Sequence, residues 1–234
     1  MSMHAMAADR TPDLTGSWLP IATEATGWSP QPMPLTSAGA SVLAAYDPNR
    51  NDSALFCMPL GTPRNTLVTT PVPLEILQTS KQITFIFEGR GDVRRIFLDG
   101  RSHPEDPIAN WAGHSVGKWR GNTLEVDTVA MTEESLVDGS GLRHSEQMQV
   151  SETFELARQN DGDRLRLTLT ITDPSTLTKP IETTRVFRRI PHAEPAETAA
   201  YCLMDQWRQY LEQHNRDLGR QLRATGPDHL EGEP

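Results

Sequence analysis

The fold class is decided by the sequence RLRLTLTIT at residues 164–172. Three leucines and Ile171 alternate there with arginines and threonines, so apolar side chains point to one face and polar side chains to the other. This period of two is typical of a β-strand with one face in a core and the other in solvent. We therefore predict a half-buried strand over this stretch.

Seven further stretches have strand-like patterning, and turn sequences such as Asp99-Gly100 and Arg120-Gly121-Asn122 separate most of them. They are Leu74–Gln78, Gln82–Glu88, Val93–Asp99, His114–Trp119, Thr123–Val129, Gln147–Leu156 and Glu182–Ile190. No pattern of a crossover helix lies between them, which argues against a parallel sheet. The sequence thus predicts a mainly β, antiparallel, eight-stranded barrel or sandwich, and such a barrel has room for one small ligand.

We place the barrel domain at residues 16–195, and it includes further segments before its first patterned strand. Residues 1–15 are predicted to be a flexible N-terminus, the Pro-rich segment 16–34 to begin as an extended strand, and Thr36 to cap a short helix ending near Tyr46. Residues 196–224 have a helical period with one apolar stripe, which predicts a long C-terminal helix, and 225–234 a mobile tail. That helix either packs on the barrel wall or contacts a second subunit in a homodimer.

Composition excludes several classes of function. The chain has 234 residues, enough for one sizeable core, and a formal net charge of −9. The most basic stretch contains only Arg185, Arg188 and Arg189, which are too few to bind nucleic acid. No run approaches the roughly 18 apolar residues of a membrane-spanning helix, so we expect no membrane partner.

Two observations bear on the compartment. Residues 1–10 lack the apolar region of a secretory leader, and the two cysteines, Cys57 and Cys202, lie far apart without a paired spacing. We expect two reduced thiols in a cytoplasmic protein. The alternative is a periplasmic protein whose leader has been removed.

Glu152 is the most informative candidate for a functional residue. It falls on the apolar face of its predicted strand, together with Met148 and Phe154, and extending that face backward adds His144 and Glu146. A carboxylate facing a core is costly unless it is paired. Such groups can perform acid–base catalysis, and the alternative is a Glu–Arg pair that braces the barrel.

Arginines are available as partners for this carboxylate. Arg94 shares a strand face with Ile96 and Leu98, so it can point inward while Arg95 faces solvent. The parity is not decisive, because Val93, Phe97 and Asp99 form an equally mixed face. Arg185 is a weaker candidate.

A second cluster comprises Asp99 to Pro104 and Trp111 to Ser115. The loop that contains them is long enough to form a lid over the mouth of the barrel. His103 and His114 lie in this cluster, and His114 begins a predicted strand. His114 is either a structural histidine or, beside His144 and Glu146, part of a group that moves protons.

Metal and nucleotide sites are not predicted. His103, His114, His144 and Glu146 could supply ligands, but their spacing matches no HxH, HExxH or cysteine pattern. No GxSxG, GxGxxG or P-loop sequence occurs either. We therefore expect no metal and no cofactor.

The run GHSVGKWRGNTLEVDT at residues 113–128 resembles a large group of uncharacterised bacterial proteins with the pattern GHSxGxWxGxTLxVDT. The likeness extends to Cys57–Arg64, Arg94–Arg101, His144-Ser145-Glu146 and Asp173-Pro174. The resemblance implies a lipocalin-like (calycin) barrel and favours Arg94 over Arg95 as the group's arginine. It implies no particular reaction.

Two functions are predicted from these observations. The first is a cofactor-independent acid–base enzyme, a lyase, isomerase, cyclase or hydratase, acting on a small apolar or aromatic substrate inside the barrel. Its catalytic residues would be His114, His144, Glu146, Glu152 and Arg94, and its substrate-binding residues Phe85, Phe87, Trp111, Met148, Asp99 and His103. The alternative is a carrier or sensor that binds a small hydrophobic ligand unchanged.

Overall fold

The computed structural model describes residues 11–24, 32–56, 58–68, 72–88 and 92–191, together with Glu212, which is helical. The strands within these residues are β1 Gly16–Pro20, β2 Leu74–Gln78, β3 Gln82–Phe87, β4 Asp92–Phe97, β5 His114–Arg120, β6 Thr123–Val129, β7 Gln149–Gln159, β8 Gly162–Thr172 and β9 Ile181–Ile190. The α-helices are α1 Ser37–Ala44 and α2 Arg64–Leu67, and short 3₁₀ helices cover Ala22–Glu24 and Ser53–Phe56.

The strands form one closed barrel in chain order, and β1 closes it by pairing with both β2 and β9. This confirms the predicted barrel and corrects its strand count, because the extended segment that starts at Gly16 is a ninth strand. The expected all-antiparallel pairing is also wrong at one place. Strands β4 and β5 are parallel, with Ile96 opposite Ser115. Parallel neighbours need a long connection, and residues 98–113 supply it.

Core side chains fill the interior. The alternation predicted for residues 164–172 is confirmed, since the three leucines and Ile171 of β8 are fully buried. Phe85 of β3 and Phe154 of β7 meet across the barrel edge to face, with ring centroids 5.4 Å apart, and both are essentially inaccessible to water. Both rings are therefore packed as part of the core.

Outside the barrel, the short helix predicted after Thr36 is confirmed as α1, and the Thr36 hydroxyl accepts a hydrogen bond from the Gly39 amide at 3.0 Å. The predicted C-terminal helix at 196–224, apart from Glu212, lies outside the described residues, as do the tail, the first ten residues, Cys57 and Cys202. Among the described helices, none is long and apolar enough to cross a membrane.

Candidate functional site

Arg94 and Glu152 form an ion pair in the barrel interior. Arg94 lies on β4 and Glu152 on β7, two strands that do not pair with each other. Only 1% of Arg94 and 2% of Glu152 is exposed to solvent. The Arg94 Nη1 donates to Glu152 Oε1 at 2.9 Å, and Nη2 donates to Oε2. The inward orientation of both residues was predicted, and so was their pairing as the alternative to catalysis.

Two hydroxyl groups complete this network. Arg94 Nε donates to Ser115 Oγ at 3.0 Å, Arg94 Nη2 donates to Thr128 Oγ1 at 2.8 Å, and the two hydroxyls lie 2.9 Å apart. Each nitrogen of the guanidinium thus already donates within the protein. Sequence reasoning missed Ser115 and Thr128 as partners, although both lie in the run at residues 113–128. A buried pair with such satisfied donors acts as a brace.

His144 is buried in a separate cluster of loop residues. Its Nε2 lies 2.8 Å from the Ser135 hydroxyl, and its Nδ1 lies 3.0 Å from the Ser145 carbonyl. Burial lowers the pKa of His144 and outweighs the opposing effects of the Ser145 carbonyl and the Asp173 carboxylate. The imidazole is therefore neutral near pH 7, and both of its nitrogens have partners.

Glu146 is exposed to solvent, so its predicted inward orientation is wrong. The strand does not extend that far back, because the Met148 amide donates to the Ser145 carbonyl at 3.1 Å in a turn and β7 begins only at Gln149. The Ser145 amide and hydroxyl both bind Asp173, each at 2.7 Å. Burial alone would raise the pKa of Asp173, but these hydrogen bonds hold it below its usual value. These hydrogen bonds hold the loop before β7 against the loop after β8.

The residues predicted to bind substrate lie in several places. Phe85, Phe87 and Met148 are buried in the core. Trp111 is half-buried in the loop before β5, where its carbonyl accepts a hydrogen bond from the Thr62 amide at 2.9 Å. Of the predicted site residues, the structure brings together Arg94 with Glu152 inside the barrel, and His103 with His114 on its outside.

His103, His114 and Asp127 form a hydrogen-bonded chain on the outer wall. His114 on β5 and Asp127 on β6 face outward, and the loop after β4 brings His103 between them. The two Nδ1 atoms of the histidines lie 2.7 Å apart, and His103 Nε2 lies 3.1 Å from Asp127 Oδ2. Ser151 steadies the other Asp127 oxygen by donating at 3.2 Å. Sequence reasoning missed Asp127, because only the folded loop reveals its neighbours.

One placement of the protons fits these hydrogen bonds. In it, the Asp127 carboxylate accepts from the Nε2–H of His103, and His103 Nδ1 accepts from the Nδ1–H of His114. His114 is left with an unprotonated Nε2, which has no hydrogen-bond partner among the described residues. A nitrogen in that state is a base.

The surroundings of His114 keep it neutral. Burial, followed by the nearby His103 and Arg101, lowers the pKa of the His114 imidazole. Arg101 lies over the Phe97 ring at 3.9 Å from its centroid, and Phe97 in turn lies 5.5 Å from the His114 ring. The Arg101 guanidinium also lowers the pKa of Asp99 to about 2, so Asp99 is ionised and bound to Arg101.

Two glycines allow the loop between β4 and β5, residues 98–113, to lie close to its neighbours. Gly61 has φ +75°, and a Cβ there would lie 2.6 Å from the Trp111 carbonyl oxygen. Gly113 has φ +69°, and a Cβ there would lie 2.8 Å from the carbonyl oxygen of Val129. Both conformations belong to glycine, and neither position has room for a side chain. His114 follows Gly113 directly, so its orientation depends on this close approach.

Two cavities are each lined by a residue of the histidine chain. One of about 1000 Å³ lies along the outward rows of β5 to β9 and is lined in part by Asp127 and Arg101. The other, of about 500 Å³, is lined by His114 and by residues of β4 and the following loop. Both volumes suit small molecules. His103 thus connects a residue of one cavity with a residue of the other.

No group of three or more His, Cys, Asp and Glu side chains in the described part of the chain is arranged to hold a metal ion. No protein-family model matches the chain, and no curated protein does either.

Proposed function

We propose that this protein is a cofactor-independent acid–base enzyme whose base is His114, acting on a small apolar or aromatic substrate on the outer wall of the barrel. The observation that carries the proposal is the chain from Asp127 through His103 to His114. It ends at a cavity, in an imidazole nitrogen that has no hydrogen-bond partner within the part of the protein that the structure describes. Positioned bases of this kind suit an isomerase, lyase, cyclase or hydratase.

The proton steps follow from the hydrogen bonds. His114 Nε2 removes a proton from the substrate, and the Nδ1 proton of His114 moves across 2.7 Å to His103 Nδ1. His103 then carries the positive charge beside the Asp127 carboxylate, which stabilises it. His114 Nε2 then gives its proton to another atom of the substrate while His103 returns its Nδ1 proton to His114 Nδ1, which completes the reaction and restores the starting protonation of both histidines.

Two further features support the proposal. The lowered pKa of His114 makes it neutral, and so a competent base, near pH 7. The resemblance to the bacterial group with lipocalin-like barrels is part of the same proposal, because its pattern includes both His114 and Asp127. The carrier alternative needs only polar anchors and no aligned proton path.

The test uses a pool of small metabolites incubated with the purified protein in deuterated water. Mass spectrometry should find compounds that incorporate deuterium, isomerise, or gain or lose water with the wild type. His114→Gln should abolish these changes, while His144→Gln, which alters a buried histidine outside the chain, should keep them in the folded fraction.

Equal conversion by wild type and His114→Gln would refute the proposal. Binding of a compound without any conversion or deuterium incorporation would instead favour the carrier.

A further inference from the structure

The cavity of about 500 Å³ beside His114 has a mainly apolar wall. Its apolar residues are Val93, Phe97, Pro104, Pro107, Ile108 and Ala112. Val93 and Ile108 are unusually open for their type, with 39% and 89% of their surface exposed. Apolar side chains exposed around a concave site are typical of a ligand pocket.

One cationic residue, Arg95, lines this cavity. It faces outward on β4 between Val93 and Phe97, about 7 Å from each along the strand. None of the ion pairs of the described residues includes Arg95. Its guanidinium is therefore available to an anion, in contrast to that of Arg94, the residue before it.

Among the described residues that line this cavity, Asp106 is the only carboxylate, and it is exposed. It forms no ion pair with Arg95 among the described residues, so it opposes an anion at the site without occupying the guanidinium. The lowered pKa of His114 leaves it neutral near pH 7. A ligand with one negative charge for Arg95 therefore needs no second negative charge for His114.

We infer that the substrate is a small apolar or aromatic carboxylate, whose anion binds Arg95 while its hydrocarbon part packs on Val93, Phe97 and Ile108 next to His114. Guanidinium and carboxylate form the paired hydrogen bonds that favour arginine at such sites. This assignment rests on the proposed function, since it places the substrate at the same base, but its test measures binding alone.

Phenylacetate and its neutral counterpart phenylacetamide are matched probes, because they share a shape and differ in charge. Each is titrated into the full chain while the imidazole signal of His114 is followed by NMR, with His114→Gln identifying that signal. Phenylacetate should bind about tenfold more tightly than the amide. Arg95→Gln should remove this difference, and Asp106→Asn should increase the affinity for phenylacetate.

Arg166→Gln is the matched control, because Arg166 is also an exposed, outward arginine but lies on β8 away from this cavity. It should leave both affinities unchanged. Equal binding of the two probes, an unaltered phenylacetate affinity in Arg95→Gln, or no response of the His114 signal would overturn the inference. Arg95-dependent binding combined with metabolite conversion that survives His114→Gln would keep the carboxylate site and refute only the proposed base.

Discussion

The barrel carries two clusters of ionisable side chains, one buried inside it and one on its outer wall, and they differ in what they leave unused. Inside, each nitrogen of Arg94 donates to Glu152, Ser115 or Thr128. Outside, His103 and Asp127 orient His114, and His114 Nε2 has no partner among the residues that the structure describes. Burial alone therefore does not mark a reactive group. We propose instead that an aligned chain ending in an unpartnered atom at a cavity marks one.

The largest effect expected from this contrast is on stability. Glu152→Gln leaves the buried Arg94 cation without its counter-charge, and we expect a loss of about 3–5 kcal/mol in the free energy of unfolding. Urea denaturation measures it. Glu155→Gln, an exposed carboxylate on the same strand, should change stability by no more than about 0.5 kcal/mol.

Replacing both partners sharpens this test. The double variant Arg94→Met with Glu152→Leu removes the charges together, so it should recover much of the loss seen in Glu152→Gln. A single Glu152→Gln variant as stable as the wild type would contradict the role of the pair as a brace.

The second prediction compares two glycines with similar backbone conformations. Gly113 and Gly121 have φ +69° and φ +59°, but a Cβ at Gly121 meets nothing within 4 Å, whereas one at Gly113 lies under 3 Å from three atoms. Gly121→Ala should cost about 1–2 kcal/mol, from conformation alone. Gly113→Ala should cost at least about 1 kcal/mol more, since packed neighbours must move.

The His114 NMR signal reports the consequence for the outer site. It should shift in Gly113→Ala and stay in place in Gly121→Ala. Equal costs in the two variants would show that the loop is not held tightly against β6.

A smaller loss in the free energy of unfolding is expected at acidic pH. In the folded state burial lowers the pKa of His144, whereas in the unfolded chain it is about 6.5. As the pH falls below about 6.5, the unfolded state gains a proton that the folded state resists, so stability decreases. Denaturation at about pH 7.5 and about pH 5.5 measures this loss. His144→Gln should show a shallower decrease, and an unchanged one would exclude His144 as its source.

The smallest effect concerns the titration of His114. Burial is the main cause of its lowered pKa and His103 is a lesser one. His103→Gln should therefore raise the pKa of His114 only partly toward about 6.5, as followed by NMR. Asp127→Asn, which leaves His103 without its carboxylate, tests whether the chain acts as a unit. A His114 titration unaffected by both variants would mean that the histidines are not coupled.

The sequence predicts the barrel wall well and the outer site poorly, for one physical reason. Alternation along β8 depends only on neighbours in the chain, and so does the inward position of Glu152. The sequence indicates the extended segment at Gly16, but not its pairing with β2 and β9, because these strands lie far apart in the chain. The role of Asp127 depends on a loop that returns from β4, so nothing next to it in the chain reveals His103. Glu146 was misplaced because a turn ends the strand.

The parallel pairing of β4 and β5 has a consequence for how this molecule can change. Because β5 runs parallel to β4, the segment between them must return along the outside of the barrel. Within this segment, residues 104–109 form no strand pairing. Insertions or replacements in that span can reshape the smaller cavity while every register of the barrel stays the same. Selectivity for a ligand can thus diverge without any loss in the framework that presents it.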